Sequence, residues 1–223
     1  MAEINLLKNF NEGKKPNRNV DERAGIVTEE IRTVARQYGK EYFDGDRNFG
    51  YGGYHYHPKF WTGVAEDMKT HFGLNEKSKV LDVGCAKGFL LFDLTRAIPR
   101  ISVSGIDISE YAVKHEEVSE SIKKNLSIGN AKDLSRFKDR EFDLVLSINT
   151  LHDLPLEECK QALREIQRVG KKAFVSVDAW RNDEEKAKIE KWTINAKTTM
   201  HVDDWKKLFD EVGYKGDYYW FFP

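Results

Sequence analysis

Val80-Leu81-Asp82-Val83-Gly84-Cys85-Ala86-Lys87-Gly88-Phe89-Leu90-Leu91 is the stretch that decides the fold. Residues 79–83 form a short apolar run broken by one acid, the pattern of a parallel strand buried on both faces. Gly84 and Gly88 remove side chains where a backbone turns sharply or approaches a ligand. Residues 89–94 then read as helix, so free backbone N–H groups face the turn. This is a nucleotide-type binding turn, but two familiar versions of it fail. The fingerprint Gly-x-Gly-x-x-Gly has Ala86 and Phe89 at its second and third glycines, and no Gly-Lys-Ser/Thr follows to make a phosphate loop.

Working outward, strands and helices alternate, the signature of a parallel sheet. Strands are expected over 101–106, near 121–128, over 142–148, 172–177 and 217–222. Helices are expected over 89–97, 109–118, 155–169, 183–193 and 202–212. The helix over 155–169 turns Cys159, Ala162, Leu163 and Ile166 inward. Upstream, residues 60–72 read as a helix with Trp61, Val64, Ala65, Met68 and Phe72 on one face. Residues 21–38 read as another, stopped by Gly39. Residues 1–21 are polar, include Lys14-Lys15-Pro16-Asn17-Arg18, and read as a mobile arm or a lid that orders on binding. The fold class is therefore α/β, a doubly wound and mostly parallel sheet with an N-terminal helical and loop cap. Residues 1–59 form the arm and cap, and 60–223 the main domain.

Residues 41–61, Glu-Tyr-Phe-Asp-Gly-Asp-Arg-Asn-Phe-Gly-Tyr-Gly-Gly-Tyr-His-Tyr-His-Pro-Lys-Phe-Trp, alternate rings with Gly, Asp, His and Arg. Glycines allow tight turns, and aromatic rings with polar tips supply flat contact area. A loop whose rings merely plug the open end of the sheet is one reading. The better one is an active-site cover, with Tyr42, Tyr51, Tyr54, His55 and His57 as contacts to substrate or lid. Asp44, Asp46, His55 and His57 lack the partners a zinc site needs, so no metal is expected.

Asp107 ends the second strand, nineteen residues after Gly88. An acid at that place accepts hydrogen bonds from ribose hydroxyls in nucleotide-binding α/β folds. The alternative is a cap on the helix that starts at Ser109. Asn149 and His152 follow the strand over 142–148, on the side where ligands bind. His152 is the candidate general base, with simple pocket lining an equal alternative.

The turn resembles motif I of the class I S-adenosylmethionine-dependent methyltransferases, with Asp82, Gly84, Ala86 and Gly88 on the pattern hydrophobic-hydrophobic-Asp-x-Gly-x-Gly-x-Gly. Ala86 replaces the middle glycine. Ile128-Gly129-Asn130-Ala131 resembles that family's Gly-Asp-Ala segment, with Asn130 in place of the acid. Leu151-His152-Asp153 looks like the motif after strand 4 of several small-molecule O-methyltransferases. The resemblance implies the Rossmann-like methyltransferase fold and S-adenosyl-L-methionine as cofactor. It implies cofactor contacts from Asp82, Gly84, Ala86, Gly88, Asp107, Ile108, Asn130, Ala131 and Asn149, with Asn130 accepting from the adenine amino group. The family usually ends with two strands, but only about ten residues follow the last helix here. Six strands are expected.

Composition narrows the function. The net charge of −1 gives no basic footprint for nucleic acid. No apolar stretch reaches membrane-spanning length. The two cysteines form no C-x-x-C pair, so a reducing cytoplasm is expected. The expected function is methyl transfer to a small polar acceptor, at a hydroxyl of a sugar, nucleotide-linked group or phenol. Transfer to nitrogen or carbon, a non-catalytic cofactor-binding module and a dehydrogenase are the alternatives.

Overall fold

The computed structural model describes residues 1–12, 20–114, 117 and 120–222. In chain order the elements are α1 (Lys8–Glu12), α2 (Val20–Ile26), α3 (Glu29–Ala35), α4 (Lys40–Asp44) and α5 (Pro58–Phe72). The alternating part follows as β1 (Lys79–Val83), α6 (Phe89–Ala97), β2 (Ser102–Asp107), α7 (Glu110–Val113), α8 (Glu120–Lys123) and β3 (Leu126–Ile128). Then come β4 (Phe142–Ile148), α9 (Leu156–Val169), β5 (Gly170–Trp180), α10 (Asp183–Trp192), β6 (Met200–His201), α11 (Val202–Val212) and β7 (Asp217–Phe221).

The sheet runs β3-β2-β1-β4-β5-β6, and β7 also pairs with β5. Every pairing is parallel. β5 is long enough to carry two neighbours on one edge. Phe174 to Asp178 face β7, and Ala179 and Trp180 face the two-residue β6. The six expected strands are present, and the seventh is this short β6.

Successive strand residues feed opposite faces, as a period of two requires. Val80, Leu144, Leu146 and Phe174 join α5 and α6 in one core. Leu81, Val83, Val145 and Val175 join α9 and α11 in the other. Burial on both faces explains why the strands read as continuous apolar runs. Pro58 sits in the first turn of α5, and Gly73 ends that helix in the left-handed region. The strand order reverses between β1 and β4, so the carboxyl ends of those strands open a crevice.

The N-terminus corrects one expectation. Residues 1–12 are not a free arm. Ile4 N–H donates to the Tyr218 carbonyl at 2.8 Å, and Tyr218 N–H to the Ala2 carbonyl at 3.0 Å, so the segment extends the sheet edge at β7. Leu6 and Leu7 are buried, and α1 lies on α5. Lys14 to Arg18 fall outside the described residues. The single helix expected over 21–38 is two, because the Thr28 side chain caps α3 by accepting from Ile31 N–H. Among the described residues no helix is long and apolar enough to cross a membrane.

Candidate active site

The turn after β1 is built by crowding as much as by its own sequence. Gly84 and Gly88 have φ of 85° and 77°, in the left-handed region. A Cβ on Gly84 would overlap the Thr150 side chain, which comes from the turn after β4. Ala86 shares the left-handed region with φ of 47°. Its N–H donates to Oδ2 of Asp107 at 2.7 Å, which holds it there. Oδ1 of Asp107 accepts from Ser109 N–H at 2.8 Å. Asp107 thus clamps the β1 turn to the end of β2 and keeps lone pairs on both oxygens for a ligand. Ser109 itself caps α7, accepting from Ala112 N–H through its hydroxyl. Gly88 is the residue before α6 and backs onto Ile122 and Leu126. It does not line the cavity described next.

A cavity of about 340 Å³ opens over this turn. Asp82, Gly84, Ala86, Asp107, Ile108, Asn130, Ala131 and Asn149 all line it. Asp82 and Asp107 are buried, and neither forms an ion pair among the described residues. Burial, and then the charge of Asp107, push the Asp82 carboxyl up to about 7. Burial also raises Asp107, against backbone N–H bonds from Ser109, Ala86 and Ile108. Arg36 and Lys197 also line the cavity, but among the described residues neither pairs with Asp82 or Asp107. The site fits a ligand that brings a sulfonium, an ammonium and a ribose diol. Ile108 is 57% exposed and adds an apolar surface for a purine. Asn130 differs from expectation, because its Oδ1 accepts from Lys132 N–H at 3.1 Å and closes a turn. One lone pair of that oxygen is already used. Asn149, at φ of 52°, is held by Ser176, whose hydroxyl donates to its Oδ1 at 2.9 Å.

From residues 41–57, Tyr42, Phe43, Tyr51 and Tyr54 line this cavity. The ammonium of Lys87, only 1% exposed, donates to Oδ1 and Oδ2 of Asp44 at 2.8 and 2.7 Å and to the Tyr54 carbonyl at 2.7 Å. Tyr111 adds its hydroxyl to Asp44 Oδ2 at 2.6 Å. Tyr42, Tyr51 and Tyr54 form one ring cluster, with Tyr54 stacked on Phe89 at 5.0 Å. A Cβ on Gly50 would overlap the Tyr42 backbone, so that glycine permits the cover to fold on itself. His55 lies 3.3 Å from Glu117 and lines a neighbouring cavity. His57 lies on neither cavity wall. Its Nδ1 accepts from Lys59 N–H and caps α5.

That neighbouring cavity, of about 290 Å³, shares Phe10, Tyr42, Tyr51, Tyr54, Trp61, Asn149 and Asp153 with the first. His152 lines it and is buried. A neutral imidazole has one accepting nitrogen. In His152 that nitrogen is Nδ1, which accepts from Asp178 N–H at 3.0 Å. The ring proton therefore sits on Nε2, 3.6 Å from Oδ1 of Asp153. Burial pushes the imidazole pKa down, and Asp153 only partly opposes this. With its lone pair engaged, His152 has nothing to accept an acceptor's proton with. Of the two roles expected for His152, this geometry suits pocket lining, and its carbonyl also accepts from Lys197 and Thr198 N–H at 2.9 Å each.

Asp153 was not assigned a role from the sequence beyond its place in the Leu151-His152-Asp153 motif. It lines both cavities, and its Oδ2 accepts from the Tyr38 hydroxyl at 3.2 Å. Burial first, and the nearby Asp178 charge, raise its carboxyl to about 6, against lowering by His152. Asp178 was also missed, although the end of β5 faces the same crevice and its position gave the signal. Lys87 gave no signal, because its partner lies forty-three residues upstream.

A family profile described as a methyltransferase domain matches residues 74–217. No curated protein matches the chain. Among solved structures, an S-adenosylmethionine-dependent methyltransferase from Archaeoglobus fulgidus is 19% identical with a TM-score of 0.54, over 67% of each chain. Geranyl diphosphate methyltransferase, solved with GPP and sinefungin, is 12% identical with a TM-score of 0.56, over 69% of this chain and 59% of its own. The [4+2]-cyclase SpnF is 19% identical with a TM-score of 0.53, over 68% and 57%. At these identities the likeness is one of fold, and the cyclase shows that the fold hosts other reactions. The profile, by contrast, spans well over half of the 223 residues. The chain belongs to the methyltransferase-domain family and is an S-adenosylmethionine-dependent methyltransferase.

Proposed function

We propose that the protein methylates a hydroxyl on a small polar acceptor held in the 290 Å³ cavity, with Asp153 as the general base. The observation that carries this reading is the junction of the two cavities, where Asp153 lines both. Residues 41–57 serve as cover for the domain over 60–223, and residues 1–12 as an edge strand and helix packed on it. The two cysteines are free and buried, which suits a reducing cytoplasm.

When bound, S-adenosylmethionine supplies an activated methyl group. Asp82 and Asp107 would hold its charges and its ribose. The chain's remaining work is alignment and proton removal. Holding reactants in attack geometry contributes roughly 7–11 kcal/mol to lowering such barriers. An Asp153 carboxylate at the junction takes the hydroxyl proton as the acceptor oxygen attacks, and becomes a neutral acid. A carboxyl titrating at about 6 is mostly ionised at neutral pH, yet basic enough to share that proton. The Tyr38 hydroxyl, bonded to Oδ2, keeps the carboxylate in place. The rings of the cover exclude water from the junction.

The test is transfer of labelled methyl from S-adenosylmethionine into a fractionated cell extract, with products identified by mass spectrometry. The expected label is an O-methyl ether in the small-molecule fraction. Asp153→Asn should lower it by roughly 10²–10⁴-fold. Label confined to protein, nucleic acid, nitrogen or carbon would overturn the reading.

A further inference from the structure

We infer that Arg47, on the aromatic cover, is a specificity residue of the acceptor cavity. It pairs with an oxyanion, carboxylate or phosphate, that the acceptor carries at the end away from its reacting hydroxyl. This deepens the proposed function and rests on it for the identity of the cavity as the acceptor site.

The first observation is a cation on the wall without a carboxylate. Arg47 is exposed and lines the acceptor cavity. Among the described residues it forms no ion pair, and its one hydrogen bond runs from Nη1 to the Gly50 carbonyl. A guanidinium carries a planar fork of N–H donors, so the others are open to a ligand that reaches this wall. His55, the other basic side chain near it on the cover, is already set against Glu117 at 3.3 Å. Arg47 does not line the cofactor cavity, where Arg36 and Lys197 stand instead.

The second observation is that this cation is held in place. A Cβ on Gly52 would overlap Cβ and Cδ of Arg47, so the stem lies flat on that glycine. Gly52 has φ of 69°, in the left-handed region. The Gly50 carbonyl fixes the head of the side chain. The surroundings strip part of its water, and the resulting burial lowers the guanidinium pKa, opposed by the Tyr51 and Tyr42 phenols. A fixed cation that loses water without gaining a carboxylate is poised for an anion from outside the chain.

The third observation is the polarity of the cavity. Asp153 and Asp178 line it from the sheet side, in the turn after β4 and near the end of β5, and each has His152 rather than Arg47 within ion-pair range. Asp153 also lines the cofactor cavity, and Arg47 does not. An acceptor with its hydroxyl at the junction therefore turns its far end towards the cover. Acids at one end and a cation at the other set that direction, since an anion is repelled by the first and drawn to the second. Tyr54, Trp61, Trp192 and Phe221 give the cavity flat apolar sides suited to a ring.

The experiment uses the full chain and three ring probes that differ in one group: para-hydroxybenzoate, para-hydroxyphenyl phosphate and para-hydroxybenzamide. Binding is measured by ligand-observed NMR, with and without S-adenosylhomocysteine. At least one of the two anions should bind roughly tenfold or more tightly than the neutral amide. The tighter of the two says whether Arg47 takes a carboxylate or a phosphate. Arg47→Met should erase the preference, and Arg47→Lys, a point charge without the fork, should keep only part of it. S-adenosylhomocysteine affinity and melting temperature should match wild type in both variants, because Arg47 is exposed and lies off the cofactor cavity. Wild type that binds the amide as tightly as the anions overturns the assignment, and so does an Arg47→Met variant that keeps the preference. Loss of S-adenosylhomocysteine affinity or a lower melting temperature in both variants also overturns it, since the cation would then serve the cofactor or the fold of the cover. Label on an atom other than a hydroxyl oxygen would instead overturn the proposed reaction, and the probe comparison, which needs no methyl transfer, still decides Arg47.

Discussion

Lys87, inside the glycine turn after β1, grips both carboxylate oxygens of Asp44 at 2.8 and 2.7 Å, and so ties the aromatic cover to the cofactor turn. The ion pair is almost fully enclosed, with side-chain exposures of 1% and 11%. Each partner is further satisfied, Lys87 by the Tyr54 carbonyl and Asp44 by the Tyr111 hydroxyl. A buried pair with such complete bonding fixes one geometry, here the position of Tyr54 over Phe89.

Lys87→Met should loosen the cover without emptying the core. Removing one partner of a buried pair costs about 3–5 kcal/mol, because the other charge is stranded. Burial raises the Asp44 carboxyl, but bonds from Lys87, Tyr111 and Tyr54 N–H bring it down to about 2. A lowered carboxylate stabilises the fold above its ordinary value of 3.8, and the effect is lost as pH falls through about 2. Urea unfolding of wild type and Lys87→Met between pH 2 and 5 reads both effects. Hydrogen exchange in residues 41–57 should rise in the variant. Equal exchange in the two proteins would show that the latch does not hold the cover.

Asp107→Ala should weaken S-adenosylhomocysteine binding by about 1.5–3 kcal/mol, the worth of a charge-assisted hydrogen bond. It should also destabilise the free protein, because Asp107 holds the N–H groups of Ala86 and Ser109. Asp107→Asn keeps an acceptor for one of them and should be intermediate in both respects. Calorimetric titration and a melting curve on the same samples check this. Loss of stability with unchanged affinity would leave Asp107 as a clamp only.

His152→Ala should retain the pH step of turnover, because the proposed base at the junction is Asp153. Its cost should fall on stability and on the Michaelis constant of the acceptor, since the ring braces Asp178 N–H and lines the cavity. Asp153→Asn should instead remove the step near pH 6. Turnover against pH for both variants, with an acceptor found by the extract assay, separates them. A flat profile in His152→Ala would return the base role to the histidine.

What sequence could and could not reveal follows from the range of each interaction. The strand over 79–83, its turn and α6 were legible because their period and glycines are local. The apolar faces of α9 and α11 were legible for the same reason. The split between α2 and α3 lay in one local cap, Thr28, that the apolar stripe outweighed. Long-range pairings were not legible. Ile4 meets Tyr218, and Lys87 meets Asp44, through contacts that no spacing rule encodes. The tautomer of His152 depends on an N–H from β5, so its place after β4 suggested a base that the fold then occupies.

The last prediction concerns Asp82 and protons. Its carboxyl is raised from 3.8 to about 7 by burial and by the charge of Asp107. Between those values the native state holds a proton that the unfolded chain has released. Stability of the free protein therefore falls, through this group, as pH rises across that window. A cationic ligand reverses the preference, because its positive charge favours the ionised carboxylate. S-adenosylmethionine should then bind more tightly as pH rises towards 7 and level off above it. At pH 6 binding should release on the order of one proton per site. S-adenosylhomocysteine, which keeps the ammonium but not the sulfonium, should release fewer, and adenosine essentially none. Calorimetry at pH 6 in two buffers of different ionisation enthalpy counts these protons. Asp153 also lines the cavity and titrates nearby, so the decisive comparison is Asp82→Asn, which should lose most of the release. If wild type and Asp82→Asn release the same number of protons, the charge of the cofactor is balanced elsewhere, and the acid of the turn acts only through the shape of β1.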